Sequence, residues 1–121
     1  MKQKILLVED QIITQKILEY RLNKEGYEVI CCDNGHDAKQ QFNDQDFNIV
    51  LTDMLMPQAC GFELLNHIRN IKQSETPVIV FSEINLQEKN QEAIKMGASI
   101  YIPKPFDLNT LIETVHFFTK F

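Results

Sequence analysis

Five polar residues lie at the ends of apolar stretches of the chain. They are Glu9 and Asp10 after KILLV, Asp53 at the end of NIVLTD, Ser82 after PVIVF, and Lys104 after SIYIP. Carboxylates bind divalent cations, and an ammonium group with a hydroxyl group can bind the oxygens of a phosphoryl group. The residue types therefore indicate metal-assisted phosphate chemistry, provided that the fold brings them together.

The three carboxylates would repel one another if they were close, so one of them must take up a proton or a cation must bind between them. Oxygen ligands that leave room for water suit Mg²⁺. Asp53 is the most informative of the three, because a carboxylate with aliphatic neighbours needs compensation for its lost hydration.

Each residue also has a simpler explanation when it is taken alone. Glu9 or Asp10 could simply cap the N-terminus of the helix that follows, where a negative charge is stabilising. Ser82 could be a turn residue, and Lys104 could be a solvated surface charge. These separate roles do not explain why all five residues lie at the carboxyl ends of apolar runs. We therefore treat them as one candidate site.

Alternating apolar runs and helical patterns predict five strands and five helices in (βα)₅ order. The predicted strands cover residues 4–8, 27–32, 48–53, 77–81 and 99–103, and the predicted helices cover 11–26, 36–43, a segment from 61, 86–96, and a segment after the N-cap residue Asp107. The first, third and fourth strands are nearly continuous aliphatic runs, as in a parallel sheet that is covered on both faces. Such a doubly wound α/β sheet binds ligands outside the carboxyl ends of its strands.

Two helices carry more specific expectations. Leu64, Ile68 and Ile71 have the spacing of one apolar face on the third helix. The fourth helix is the most polar, so we expect it to be the least firmly anchored.

Composition limits the class of protein. The chain has 121 residues, 44% of them hydrophobic and 24% charged, which predicts one globular domain. The net charge of −5 and the scattered basic residues argue against nucleic-acid binding. No apolar run approaches the ~18 residues of a membrane span. Three cysteines, including adjacent Cys31 and Cys32, form neither a disulfide framework nor a zinc set, so we expect a cytoplasmic location.

Four segments resemble the motifs of receiver domains from two-component response regulators, including chemotaxis response regulators. The segments are LLVEDQ, LTDMLMPQACGFELL, PVIVFSE and YIPKPFD, and the resemblance extends from Ile5 to the last helix. It implies a single receiver domain over residues 1–121. It also implies a flavodoxin-like sheet with the strand order 2-1-3-4-5.

The resemblance assigns a chemical role to each site residue. It implies that Asp53 is the phosphorylated residue and that Mg²⁺ is held by Glu9, Asp10, Asp53 and the backbone carbonyl of Leu55. Lys104 would pair with the carboxylate of Asp53 and then with the phosphoryl oxygens. These assignments describe a phospho-accepting signalling domain that assists only its own phosphorylation and dephosphorylation, and not an enzyme.

Three further residues have implied conformational roles. Ser82 would move to meet the phosphoryl group, and Tyr101 stands where the family has an aromatic switch residue. Pro105 would follow a cis peptide bond, which proline permits at a cost of only ~0.5–1 kcal/mol.

The implied function is that of a phosphorelay switch. A sensor histidine kinase or a histidine phosphotransfer protein would supply the phosphoryl group, and the surface of the fourth helix, fifth strand and fifth helix would change. A downstream protein target or a linked output domain would receive the signal. From the charge and the lack of a long apolar run we expect no contact of this domain with nucleic acid or membrane, and homodimerisation is left open.

Three residues depart from the family pattern. Glu83 replaces a small residue beside the phosphoryl group, Cys60 replaces the usual Asp of the loop, and Leu55 is bulky where side chains influence the access of water. We expect Leu55 to lengthen the phosphorylated lifetime.

Two alternative functions remain open. Glu83 favours a receiver-like interaction module that is not phosphorylated. A phosphohydrolase of the haloacid-dehalogenase type also uses an Asp at a strand end, but it needs a second Asp where this chain has Leu55, and typically a longer chain.

Overall fold

The computed structural model describes residues 2–54, 61–82 and 87–119, with the backbone alone at 82 and 87–90. Strands and helices alternate along the chain as predicted. The elements are β1 (Lys4–Val8), α1 (Ile12–Lys24), β2 (Glu28–Cys32), α2 (Gly35–Asp44), β3 (Ile49–Asp53), α3 (Gly61–Asn66) with a π-helical turn (His67–Ile71), β4 (Val78–Ser82), α4 (Gln87–Lys95), β5 (Ile100–Pro103) and α5 (Leu108–Thr119).

All five strands are parallel, and their order in the sheet is β2-β1-β3-β4-β5. This order confirms the predicted doubly wound fold. Val8 pairs with Thr52 in the neighbouring strand, and Asp53 pairs with Phe81. The carboxyl ends of β1, β3 and β4 are therefore aligned at one edge of the sheet.

Two separate hydrophobic clusters cover the two faces of the sheet, because successive strand residues point to opposite sides. Leu6, Val8 and Val50 pack with residues of α2, α3 and α4 on one face. Ile5 and Leu7 pack with residues of α1 and α5 on the other. Burial on both faces explains why the central strands are nearly continuous apolar runs.

Local sequence signals set several helix ends. The Asn34 side chain accepts a hydrogen bond from the Asp37 N–H and so caps α2. Gly26 and Gly97 follow α1 and α4 with φ of +102° and +110°, a conformation that favours glycine. The Asp107 carboxylate accepts a hydrogen bond from the Thr110 hydroxyl at the start of α5.

The prediction for Ile71 was wrong. Leu64 and Ile68 are buried, but Ile71 is 65% exposed. The cause is the π-helical turn. In this turn the Lys72 N–H donates to the carbonyl of His67, five residues earlier, and not to that of Ile68, which an α-helix would use. The additional residue in this turn rotates Ile71 away from the face that Leu64 and Ile68 share.

The first helix has apolar residues on two sides. Leu18 and Leu22 are buried against the sheet, whereas Ile13 and Ile17 are exposed.

In the described part of the chain, no helix combines the length and the hydropathy needed to cross a bilayer.

Candidate metal and phosphoryl site

The turn between β1 and α1 carries the two adjacent acidic residues. Glu9 is fully buried, and its N–H donates to the Cys32 carbonyl at 3.0 Å. Its carboxylate accepts a hydrogen bond of 3.1 Å from the N–H of Gln11. Asp10, the next residue, is exposed. The turn therefore presents one carboxylate beneath the surface and one at the surface.

Asp53 is the last residue of β3 and is only 6% exposed. Carboxylate oxygens of Glu9, Asp10 and Asp53 all lie within 4.8 Å of one another. The sheet thus brings together the three acids that the sequence indicated. Their oxygens form a ligand set that suits a hard divalent cation such as Mg²⁺.

Lys104 follows β5 and lies against this acidic cluster. Its ammonium nitrogen is 2.8 Å from Asp53 Oδ2 and 3.0 Å from Glu9 Oε2. The same nitrogen lies 5.3 Å from the centre of the Phe81 ring. The Lys104–Pro105 peptide bond is cis, which confirms the prediction for this bond.

Burial and charge pairing act in opposite directions on the site. Burial raises the pKa of Glu9, and the hydrogen bond from Lys104 only partly offsets this effect. Burial also acts to lower the pKa of Lys104, but its hydrogen bonds to Asp53 and Glu9 outweigh burial and raise that pKa. The ammonium group therefore stays charged between the two carboxylates.

The other predicted site residues are described less completely. The backbone of Ser82 ends β4 and pairs with Pro103 of β5, at the same sheet edge as Asp53. The side chain of Ser82 lies outside the described residues, as do Leu55, Cys60 and Glu83. Tyr101 is half-buried and packs against the cluster that includes α4. The roles assigned to Ser82, Tyr101 and Leu55 stay predictions.

One polar residue near the site was not predicted. Gln15 lies on the buried face of α1, is 6% exposed, and donates hydrogen bonds to backbone carbonyls beside the acidic pair. A signal was available in the sequence. Gln15, Leu18 and Leu22 have the i, i+3, i+7 spacing of one helix face, so an amide on that face needs a buried partner.

The fold and the site define a class of protein: a flavodoxin-like α/β domain with a lysine-bridged acidic cluster at the carboxyl ends of its strands. The sequence profile of the response regulator receiver domain matches residues 5–116. The chain therefore belongs to the receiver-domain family of two-component response regulators.

A curated relative of the chain is the transcriptional regulatory protein CrdR of Helicobacter pylori. It is 35% identical over 111 residues, which are 92% of this chain and 52% of CrdR. The chain thus spans about half the length of this relative.

Two solved structures illustrate the similarity of the fold. The chemotaxis response regulator CheY4 of Vibrio cholerae is 29% identical, with a TM-score of 0.89 over 98% of this chain and 99% of that one. The receiver domain of the sensor histidine kinase PA1611 from Pseudomonas aeruginosa is 26% identical, with a TM-score of 0.88 over the whole of both chains. That structure has a magnesium ion coordinated in its active-site cleft.

Proposed function

We propose that this domain takes a phosphoryl group onto Asp53 from a phosphohistidine in a Mg²⁺-dependent reaction. The donor is a sensor histidine kinase or a histidine phosphotransfer protein. The supporting observation is the cluster of Glu9, Asp10 and Asp53, whose carboxylate oxygens lie within 4.8 Å of one another. Lys104 forms a salt bridge with Asp53. Receiver domains typically use Mg²⁺, and the donor set fits this ion.

Each residue has a defined task in this reaction. Glu9, Asp10 and Asp53 would hold the cation, together with the Leu55 carbonyl that the family resemblance implies. Lys104 holds one oxygen of the Asp53 carboxylate and so orients this nucleophile. When bound, Mg²⁺ supplies positive charge for the phosphoryl oxygens.

The transfer exchanges one bond for another. An oxygen of Asp53 forms the new bond to phosphorus, while the bond between phosphorus and the donor imidazole nitrogen breaks. The imidazole retains that electron pair, and Lys104 donates hydrogen bonds to the transferred phosphoryl oxygens. The product is an acyl phosphate, which water can later hydrolyse.

The added charge would drive the conformational response. Phosphorylation adds about 1.5 to 2 negative charges. In this proposal Ser82 moves toward the phosphoryl oxygens, Tyr101 turns inward, and the surface formed by α4, β5 and α5 changes. A shift from 1:99 to 99:1 takes ~5.5 kcal/mol, which several charge-assisted hydrogen bonds at ~1.5–3 kcal/mol each can supply. A cytoplasmic target protein or a linked output domain would read the change.

The test is labelling of the purified domain with a small phosphodonor such as acetyl phosphate. We expect up to one phosphoryl group per chain, on Asp53 by mass spectrometry, with Mg²⁺ present and none after EDTA treatment. Asp53→Asn should abolish labelling. Asp46→Asn is the matched control, because Asp46 is an exposed acid outside the cluster, and it should leave labelling unchanged.

Other outcomes would contradict the proposal. No labelling of the folded wild-type domain would indicate the interaction module that Glu83 favours. Multiple turnover on diverse phosphate esters would indicate a phosphohydrolase. Labelling that persists in Asp53→Asn would place the phosphorylated residue elsewhere.

A further inference from the structure

Gln15 connects α1 to the end of β1 through its side-chain amide. Its Nε2 atom donates to the backbone carbonyl of Glu9 at 2.9 Å and to that of Cys32 at 3.3 Å. The side chain is buried at 6% exposure. These are contacts inside the protein, which join α1 to the turn after β1 and to the last residue of β2.

The contacts fix the backbone on both sides of the Glu9 Cα atom. On one side, the Glu9 N–H donates to the Cys32 carbonyl at 3.0 Å. On the other side, the Glu9 carbonyl accepts from Gln15. The peptide group that contains this carbonyl continues directly into Asp10. Its orientation therefore sets where the backbone of Asp10 lies relative to Asp53.

We propose that Gln15 is a positioning residue for the metal site. Its amide holds the Glu9–Asp10 peptide so that the two carboxylates lie beside Asp53 before the cation arrives. The proposal rests on the proposed function in one respect, namely that Mg²⁺ is the ion bound at this cluster. Groups that hold metal ligands in place typically account for 10–100-fold in affinity or activity.

The first experiment compares Gln15→Met with Gln3→Met. Methionine keeps the approximate length of the side chain and removes the N–H donors. Gln3 is the matched control, because its amide also donates to a backbone carbonyl, that of Thr119 at 3.2 Å, but from the residue before β1 at the opposite end of this strand. Mg²⁺ affinity is measured by titration followed with amide NMR, and folding is checked by circular dichroism.

We expect Gln15→Met to weaken Mg²⁺ binding about tenfold and Gln3→Met to leave it within about twofold of wild type. Acetyl phosphate labelling of Gln15→Met should be slow at low Mg²⁺ and return to within about twofold of wild type at saturating Mg²⁺. A residue that only stabilises the fold would not produce this dependence on Mg²⁺. Unchanged Mg²⁺ affinity in folded Gln15→Met would overturn the proposal.

A second measurement uses the wild-type protein and so does not depend on the folding of a variant. NMR detects scalar coupling across a hydrogen bond, here between the Gln15 side-chain nitrogen and the Glu9 carbonyl carbon. We expect this coupling and slow exchange of the Gln15 amide protons. Fast exchange without coupling would overturn the proposal.

The results separate this inference from the proposed function. If wild type binds Mg²⁺ but is not labelled, the phosphorylation proposal fails, and the comparison of Mg²⁺ affinities still tests Gln15. If wild type is labelled while Gln15→Met binds Mg²⁺ normally, only the Gln15 proposal fails.

Discussion

Tyr27 joins the start of the second strand to the last helix by hydrogen bonds inside the core. The residue is fully buried, and its hydroxyl lies 2.8 Å from His116 Nδ1 and 2.8 Å from Thr119 Oγ1. Its ring also stacks on that of His116, with 5.6 Å between the ring centres. These contacts connect residues about ninety positions apart, so local sequence patterns do not reveal them.

We predict that Tyr27→Phe lowers the free energy of unfolding by about 1–3 kcal/mol, because partners of the buried hydroxyl lose a hydrogen bond. Urea unfolding followed by circular dichroism measures this change. Tyr20→Phe is the control, since Tyr20 is 68% exposed, and it should change stability by less than about 0.5 kcal/mol. Equal effects at the two positions would contradict the prediction.

The contacts of Glu25 with His116 predict that the stability of the fold depends on pH. The Glu25 carboxylate is hydrogen-bonded to His116 Nε2 at 3.1 Å and to Arg21 Nε at 3.3 Å. Both hydrogen bonds lower the pKa of Glu25, and the one with His116 has the larger effect. A carboxyl group whose pKa is lower in the folded state stabilises the fold above its unfolded pKa of ~4.3. This stability is lost as the pH falls through the folded pKa.

Glu25→Gln should therefore reduce the decline in unfolding free energy on acidification below about pH 5. The measurement is a set of urea unfolding curves across the acidic range. Glu28→Gln serves as the control because Glu28 is an exposed acid at the start of β2. The same acid-induced decline in Glu25→Gln and wild type would show that the contact does not contribute.

At the scale of elements, the start of α3 lies directly on the end of β3. The N–H of Gly61 donates to the Met54 carbonyl at 2.9 Å. A Cβ atom at Gly61 would lie 2.7 Å from the Asp53 carbonyl oxygen and 2.9 Å from the Met54 Cα. Both neighbours are backbone atoms, so a larger residue must displace the strand end that carries Asp53.

We predict that Gly61→Ala slows labelling of Asp53 by about ten- to a hundredfold, because a shift of ~1 Å in a reacting group has effects of this size. Gly26→Ala is the control. At Gly26 no described atom outside the two neighbouring residues lies within 4 Å of the added Cβ, but its φ of +102° makes alanine unfavourable by ~1–2 kcal/mol. The control should lose stability and keep its labelling rate, and comparable labelling of both variants would contradict the prediction.

Arg69 lies in the π-helical turn after α3 and connects this turn to the loops before β4 and β5. Its guanidinium donates to the carbonyls of Gly97 at 2.9 Å, Ser74 at 2.9 Å and Thr76 at 2.7 Å. One hydrogen bond to a charged group contributes ~1.5–3 kcal/mol. Arg69→Met, which removes three of them, should therefore lower the free energy of unfolding by at least ~1.5 kcal/mol. It should also speed amide hydrogen exchange at Ala98. Lys72→Met, at an exposed residue of the same segment, should change neither quantity.

The sequence predicted the strands more accurately than the other features. β1 was predicted at its observed bounds, and the other strands to within one residue, because aliphatic runs between turn signals depend on local chemistry. The π-helical turn and the exposure of Ile71 were missed, since an extra residue in a helix leaves no clear mark in the pattern. At the site, Glu9, Asp10, Asp53 and Lys104 were predicted, because parallel strands place their ends at one edge.

For the whole molecule, metal binding and folding should be coupled. An ion that binds only the folded state stabilises it by about 2.7 kcal/mol at a hundred times its Kd. Mg²⁺ should therefore raise the melting temperature of the domain, and EDTA should reverse the increase. Asp10→Asn removes one acid of the cluster and should reduce this increase, whereas Asp46→Asn should not. An identical Mg²⁺ response in both variants would exclude Asp10 as a ligand.

The salt bridges of Lys104 have a consequence for the choice of ion. Three carboxylates and one ammonium leave two unbalanced formal negative charges in the cluster. A single divalent ion balances them, whereas one sodium or potassium ion leaves a residual negative charge that would repel an approaching phosphate. Since Glu9 and Asp53 are buried, monovalent salt screens their charges only weakly, and we expect it not to replace the divalent ion.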